Sequence, residues 1–318
     1  MSFKPCTEYG GGIDQVYLWR QKTFTDTLAD RWSFLRALAG GMNPEFDAMA
    51  GQFPDSEVHR FNIGYSDPFI CDAGIFAGHV NGQPLVLMTQ TELITDPYVM
   101  LGYSIAFEQF LITKGVRVER VPFVTIGGDT LIAGGYGFVG NHVMQATAEA
   151  YRDYAKAAFA VDSTFDRLNL DAAILDPPAG CFGVPHKNRN GFYHLDTLVA
   201  FGESPDGSPI AALAELQDDP DSHSIYADYV GEELDRRGFG LASVPAYIVD
   251  GCMWSAANVR IDGEKRKAYM FTSHFPDLDQ AAVDSYKEMG YDVIIYNANH
   301  TFLVKRAGYR CCTFVIRS

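Results

Sequence analysis

"DTLIAGGYGFVGNHV", Asp129 to Val143, is the stretch on which the fold turns. Its core, "GYGFVG" (Gly135 to Gly140), matches the dinucleotide fingerprint G-x-G-x-x-G. The segment follows a strand-like "DTLIAG", precedes a helical pattern, and has Asp162 about twenty residues further on, as a nucleotide-binding oxidoreductase requires. The competing reading is a tight turn between two strands, in which glycine supplies positive φ and Tyr136 and Phe138 alternate as strand residues do. The fingerprint usually opens a domain, and here about 130 residues of other α/β material precede it. Both readings stay open at this point.

Outward from that segment, short apolar runs alternate with helical patterns. Residues 84–89 read as a buried strand, 96–112 as a helix and 117–124 as the next strand. A strand pair around 130–139 leads into a helix over 142–160, followed by strands near 171–176 and 193–201. A helix at 223–237 precedes strands near 241–248, 257–261 and 267–271. A helix at 279–289 and strands at 291–296 and 312–317 complete the series. Two or three short strands per helix suit several small mixed α/β modules, diverged pseudo-repeats within one domain. The Pro/Gly/Asn-rich segment 176–191 suits a linker between two domains or a functional loop equally well, and is read as a mobile loop within one domain.

The chain has 318 residues, a formal net charge of −15, 47% hydrophobic and 20% charged residues, which is the composition of a soluble globular protein. The acidic balance argues against nucleic acid or an anionic membrane as partner and suits a cationic small substrate. No apolar run reaches the roughly 18–20 residues that cross a bilayer, and "MSFKPCTEYGGG" lacks the apolar stretch of a secretory signal. The six cysteines are scattered without C-x-x-C spacing. Free thiols and a cytoplasmic location are the expectation. The histidines show no ligand spacing with Cys or Asp, so neither a metal nor a cofactor is implied.

Five short segments carry candidate chemistry. In "FYHLDTLVAF" (192–201), an extended reading puts His194 and Asp196 on one face, where a carboxylate would orient and tune an imidazole for proton transfer. The bland alternative is a histidine paired with an acid on a sheet surface. "FNIGYSDPFICDAG" (61–74) places Asp67 and Asp72 beside an apolar strand, as a cation clamp or as turn residues. "TIGGDTL" (125–131) sets Asp129 after two glycines that permit close backbone approach. "WSAANVRI" (254–261) carries Asn258 into a strand. In "GYRCCTFVIRS" (308–318), strand alternation puts Cys311, Thr313 and Val315 on one side and Cys312, Phe314 and Ile316 on the other. One sulfur then joins the apolar face, and the other is available as a thiolate nucleophile if a cation or histidine lowers its pKa.

In this order the segments resemble those of the guanidine-modifying superfamily: arginine deiminases, dimethylarginine hydrolases, arginine dihydrolases and amidinotransferases. "FICDAG" resembles the strand whose acid holds the guanidinium, "IGGDTL" the Glu-Gly-Gly-Asp segment, and "FYHLDT" the His-x-Asp motif. "AANV" is similar to the segment ahead of the last module, and "GYRCCTFVI" to the closing Gly-x-x-Cys-x-Ser/Thr strand. The resemblance spans roughly residues 61 to 318, leaving residues 1–60 as an N-terminal extension of unassigned role. It implies one catalytic domain over 1–318: a five-bladed α/β propeller of ββαβ modules around a central active site. It implies Cys311 as nucleophile, with His194 and Asp196 catalytic and Asp72, Asp129, Asp67 and Asn258 binding substrate. Acids at Asp72 and Asp196 would clamp the guanidinium. The implied reaction is hydrolysis of an arginine-like guanidino compound through a covalent cysteine amidino-thioether. An amidinotransferase, a non-catalytic binding propeller, and the oxidoreductase suggested by "GYGFVG" are the alternatives. The expected partner is a small guanidino substrate, with homo-oligomer formation left open. One departure stands out: the family has an acid just before Gly-Gly-Asp, and this chain has Thr125 and Ile126 there.

Overall fold

The computed structural model describes residues 3–21, 44–63, 70–94, 100–175, 194–216, 220–249, 252–297, 309–310 and 312–318. Asp67, Cys311 and the whole 176–191 loop lie outside them. The described strands form five sheets of three or four strands. In each, an antiparallel pair is joined by a third strand running parallel to one member. Ile75–Val80 and Gln83–Thr89 form such a pair, and Arg117–Val121 returns parallel to the second after the helix Met100–Thr113. Thr130–Ala133, Tyr136–Gly140 and Asp171–Leu175 repeat the pattern. So do Val199–Glu203, Pro209–Leu216 and Gly240–Val249, and then Arg260–Asp262, Lys267–Phe271 and Asp292–Tyr296. The fifth sheet is built from sequence-distant pieces: Thr313–Arg317 lies antiparallel to Ile13–Gln21, which runs parallel to Glu57–Ile63.

The central strands are continuous apolar runs because both faces are covered. Leu85, Val86, Leu87 and Met88 are all fully buried, Leu85 and Leu87 in one core cluster and Val86 and Met88 in another. The module rhythm anticipated from hydrophobic patterning is therefore the one observed. No helix among the described residues is long and apolar enough to cross a membrane.

One local expectation is corrected, and one of two open readings is borne out. The helix anticipated over 142–160 is two helices, Asn141–Tyr151 and Tyr154–Arg167. Arg152 turns left-handed at φ 56°, and Asp153 restarts the chain by accepting from Lys156 N at 3.2 Å. That cap offers the backbone an end more favourable than continuation. "GYGFVG" is a strand entered from a turn. Gly134 (φ 56°) and Gly135 (φ 86°) make the hairpin, and Tyr136–Gly140 is paired on both sides. A Cβ on Gly137 would sit 2.5 Å from the Phe165 ring, and one on Gly140 2.0 Å from Asp129 Oδ1. These two glycines make room for side chains. The helix N-terminus that a pyrophosphate would need already donates Val143 N–H to the Asp129 carboxylate.

Candidate active site

The turn Ile126–Asp129, closed by Asp129 N donating to Ile126 O at 2.9 Å, gathers the site around itself. Gly127 O accepts from Arg310 Nη1 at 2.8 Å. Gly128 N donates to Asp72 Oδ1 at 2.9 Å, and Gly128 O accepts from Asp196 N at 2.9 Å. The Asp129 carboxylate accepts from Val143 N and from Leu195 N, both at 3.0 Å, so one side chain ties the helix Asn141–Tyr151 to the His194 segment. Four chain segments far apart in sequence thus meet on four residues.

Gly128 shows why a glycine is needed. A Cβ there would lie 2.6 Å from His194 Nδ1, 3.1 Å from Asp72 Oδ1 and 3.2 Å from Asp196 Oδ1. His194 and Asp72 are themselves 3.9 Å apart, with side chains 24% and 19% exposed, so both can meet a ligand. His142 packs edge-on against His194, with ring centroids 5.5 Å apart. Asp196 differs: it is fully buried, and its Oδ2 accepts from Arg310 Nη1 at 2.9 Å. Arg310 also donates from Nη2 to Glu8 at 2.9 Å, and its backbone N donates to Asn258 Oδ1 at 2.9 Å.

Burial pushes the Asp129 carboxyl up to about 7, against the pull of the His194 cation and its two N–H donors. Burial likewise raises Asp196, with Arg310 opposing. For His194, burial disfavours the imidazolium, but Asp72, Asp129 and Asp196 together outweigh it and hold its pKa above the ordinary value. Glu8 is driven up by burial and brought back below its ordinary value by Arg310 and Arg260.

These shifts fix the sign of a pH effect. Folded Asp129 binds its proton more tightly than the unfolded carboxyl, so its contribution declines as pH rises from about 4 to about 7. The His194 contribution is complete below 6.5 and is lost as pH rises through its raised folded value. The melting temperature of the wild-type chain is therefore expected to fall relative to that of Asp129→Asn across pH 4–7. Parallel curves would contradict this.

Asp72, Asp129, His194 and Asp196, picked out from separate motifs, come together. The route differs from the anticipated one. His194 is the N-cap of a short helix, Leu195–Leu198, and the strand begins only at Val199. Two residues apart on a helix do not share a face, so the convergence comes from wrapping around Gly128. Asn258 lies in the turn before Arg260–Asp262 and meets the backbone of Arg310. Thr125, next to Ile126 ahead of the Gly-Gly turn, accepts from Thr89 N at 3.0 Å on its hydroxyl, which also lies 2.9 Å from Thr89 Oγ1. Arg310, Glu8 and Arg260 were missed. Arg310 stands directly before Cys311, where the only available signal was its charge inside an apolar closing segment.

No protein-family model matches the chain, and neither does any curated protein. Solved structures do. Agmatine deiminase of C. jejuni is 16% identical with a TM-score of 0.64, over 100% of this chain and 96% of that one. Dimethylarginine dimethylaminohydrolase of Pseudomonas aeruginosa, solved as a cysteine-to-serine variant with citrulline, is 13% identical with a TM-score of 0.57, over 96% and 100%. The N-terminal domain of a cyanobacterial arginine dihydrolase is 12% identical with a TM-score of 0.57, over 96% and 98%. The mixed α/β fold of this chain is the one these guanidine-modifying enzymes share.

Proposed function

We propose that the chain is a cysteine-dependent C–N hydrolase of a guanidino compound, its five modules arranged as the blades of an α/β propeller around the Gly128 site. The convergence of Asp72, His194 and Asp196 on Gly128 carries the reading, because it puts a cation-binding carboxylate against a proton-transfer histidine. The names of the structural neighbours, a deiminase, a dimethylaminohydrolase crystallised with citrulline and a dihydrolase, support the substrate class.

Asp72 binds the guanidinium by charge-assisted hydrogen bonds. The bound cation favours the Cys311 thiolate, which attacks the guanidino carbon. The C–S bond forms, and the C–N bond to the departing amine or ammonia breaks as His194 delivers its proton. His194 then takes a proton from water. The resulting hydroxide attacks the amidino-thioether carbon, the C–S bond breaks, and a ureido product leaves with the thiolate restored. Asp196, held by Arg310, acts on His194 through charge and lies too deep to touch substrate. Asp129 and Asn258 are positioning residues for His194 and Arg310. With Ile126 where the family has an acid, the substrate is held by one carboxylate fewer, which suits a guanidine with an apolar substituent.

The test is a panel of free and N-alkylated guanidino compounds, scored for ureido product and for released ammonia or amine. Product with stoichiometric amine supports hydrolysis. Amidino transfer to an added amine without ureido product would replace it, and no turnover of any member would sink it. Gly128→Ala is expected to cut kcat about 100-fold with a near-native melting temperature, since the new methyl must displace His194 Nδ1 from 2.6 Å. An unchanged kcat would separate His194 from the chemistry.

A further inference from the structure

On the side of Arg310 that faces Glu8 lies a polar cavity, of about 30 Å³, that the proposed reaction does not use. Arg260, Arg310, Arg317 and Glu8 border it, together with Thr130 and Cys6. The first two arginines are spoken for. Arg260 Nε donates to Thr313 Oγ1 at 2.9 Å and its Nη1 lies 3.4 Å from Glu8, while Arg310 is shared between Glu8 and Asp196. Arg317 is not. It is 1% exposed, and neither Nη1 nor Nη2 has a hydrogen-bond partner among the described residues. Thr130 Oγ1, fully buried, is likewise without one.

A guanidinium whose Nη groups find no hydrogen-bond acceptor in a protein interior is costly, and an unmet hydroxyl adds to the cost. Three groups act on Arg317 through charge, Cys6, Glu8 and Asp262, and none hydrogen-bonds its Nη atoms. Burial pushes the Cys6 thiol up to about 11, even with Arg317 pulling it down, so it stays neutral. Glu8 and Asp262 act through charge without bonding those atoms; Asp262 Oδ1 accepts from Lys265 N at 3.0 Å, and its Oδ2 is itself buried with no hydrogen-bond partner among the described residues. One fixed positive charge, a two-pronged donor and a hydroxyl donor around a space of one or two waters describe a small-anion cradle. We propose that this cavity binds a monovalent anion of halide to formate size on Arg317 and Thr130. Of the three arginines that border the cavity, Arg317 alone has no hydrogen-bond partner on its Nη atoms among the described residues, which matches a ligand of one negative charge.

The probe is bromide, used with chloride-free wild-type protein. Crystals grown in millimolar bromide are expected to show an anomalous-scattering peak within hydrogen-bonding distance of Arg317 Nη and Thr130 Oγ1. In solution, replacing gluconate by bromide at constant ionic strength should raise the melting temperature by about 2 °C at ten times the dissociation constant. Formate in place of bromide should do the same. Arg317→Met should melt no lower than wild type in gluconate and show no response to bromide. Thr130→Val should weaken the response and covers the case in which Arg317→Met does not fold. The idea is overturned by ordered water alone at Arg317, or by Arg317 folded onto Asp262. It is also overturned by an equal bromide response in Arg317→Met. A peak seen only at molar bromide with no solution response would mean an adventitious ion only, and would count against it equally.

Discussion

Cys311→Ala is expected to lower kcat by at least about 10³-fold toward any guanidino substrate found, leaving the melting temperature within a degree or two of wild type. The asymmetry between the two adjacent sulfurs makes the experiment decisive. Cys312 is fully buried in the core cluster that also contains Phe314 and Tyr309. A thiol so placed is a space-filling group, and Cys312→Ala should cost stability while keeping kcat within about threefold. Its neighbour sits one residue from Arg310, whose guanidinium is 2.9 Å from Asp196 and whose carbonyl accepts from Thr313 N at 3.1 Å. A haloacetamidine probe, which mimics the planar amidinium, should label Cys311 and spare Cys312. Labelling of both sulfurs at similar rates, or activity surviving Cys311→Ala, would remove the covalent mechanism.

The second large effect is structural. Arg310→Met should destabilise the chain by about 3–5 kcal/mol, because it strands the Asp196 carboxylate in the interior. For a chain of this length that is a fall in melting temperature of about 4–7 °C. The arginine side chain is only 6% exposed and Asp196 is fully buried, so solvent does little to screen the loss. The double variant Arg310→Met with Asp196→Asn should recover part of the loss, since the stranded charge is gone. Arg310→Lys is expected to fall between, keeping the charge but not the fork that reaches Asp196, Gly127 O and Glu8 together. A melting temperature for Arg310→Met within a degree of wild type would show that the pair contributes nothing net.

The fold was legible where it rests on local pattern. Strands such as Gln83–Thr89 and Lys267–Phe271 stand within a residue of where apolar runs placed them, because burial on both faces leaves a continuous signature. The break at Arg152–Asp153 was not, since a single capping side chain decided it within an unbroken helical pattern. The site was legible in its members and not in its geometry. Asp72, Asp129, His194 and Asp196 came from three short motifs, each of which was ambiguous alone. What arranges them is a set of hydrogen bonds between segments as far apart as 183 residues, to which periodicity is blind. The His194 conformation is a case in point. Local alternation argued for a strand, and the Asp129 carboxylate, 66 residues away, takes the Leu195 N–H and starts a helical turn instead. Arg310 escaped notice for a related reason. A cation in a closing apolar strand reads as a surface residue until the buried acids it answers are known.

The sheet that joins Thr313–Arg317 to Ile13–Gln21 also has a consequence for biosynthesis. Leu18 pairs with Thr313, so the earlier strand is translated almost 300 residues before its partner. At about 5–20 residues per second, that leaves it waiting roughly 15–60 seconds with one edge bare. Ile13, Val16, Tyr17 and Leu18 are all buried in the finished chain, so the waiting edge is an apolar one. A ribosome stalled anywhere short of residue 313 therefore displays an open, sticky β-edge. The strand Ile13–Gln21 thus calls for chaperone cover from its own synthesis until Thr313–Arg317 has been made.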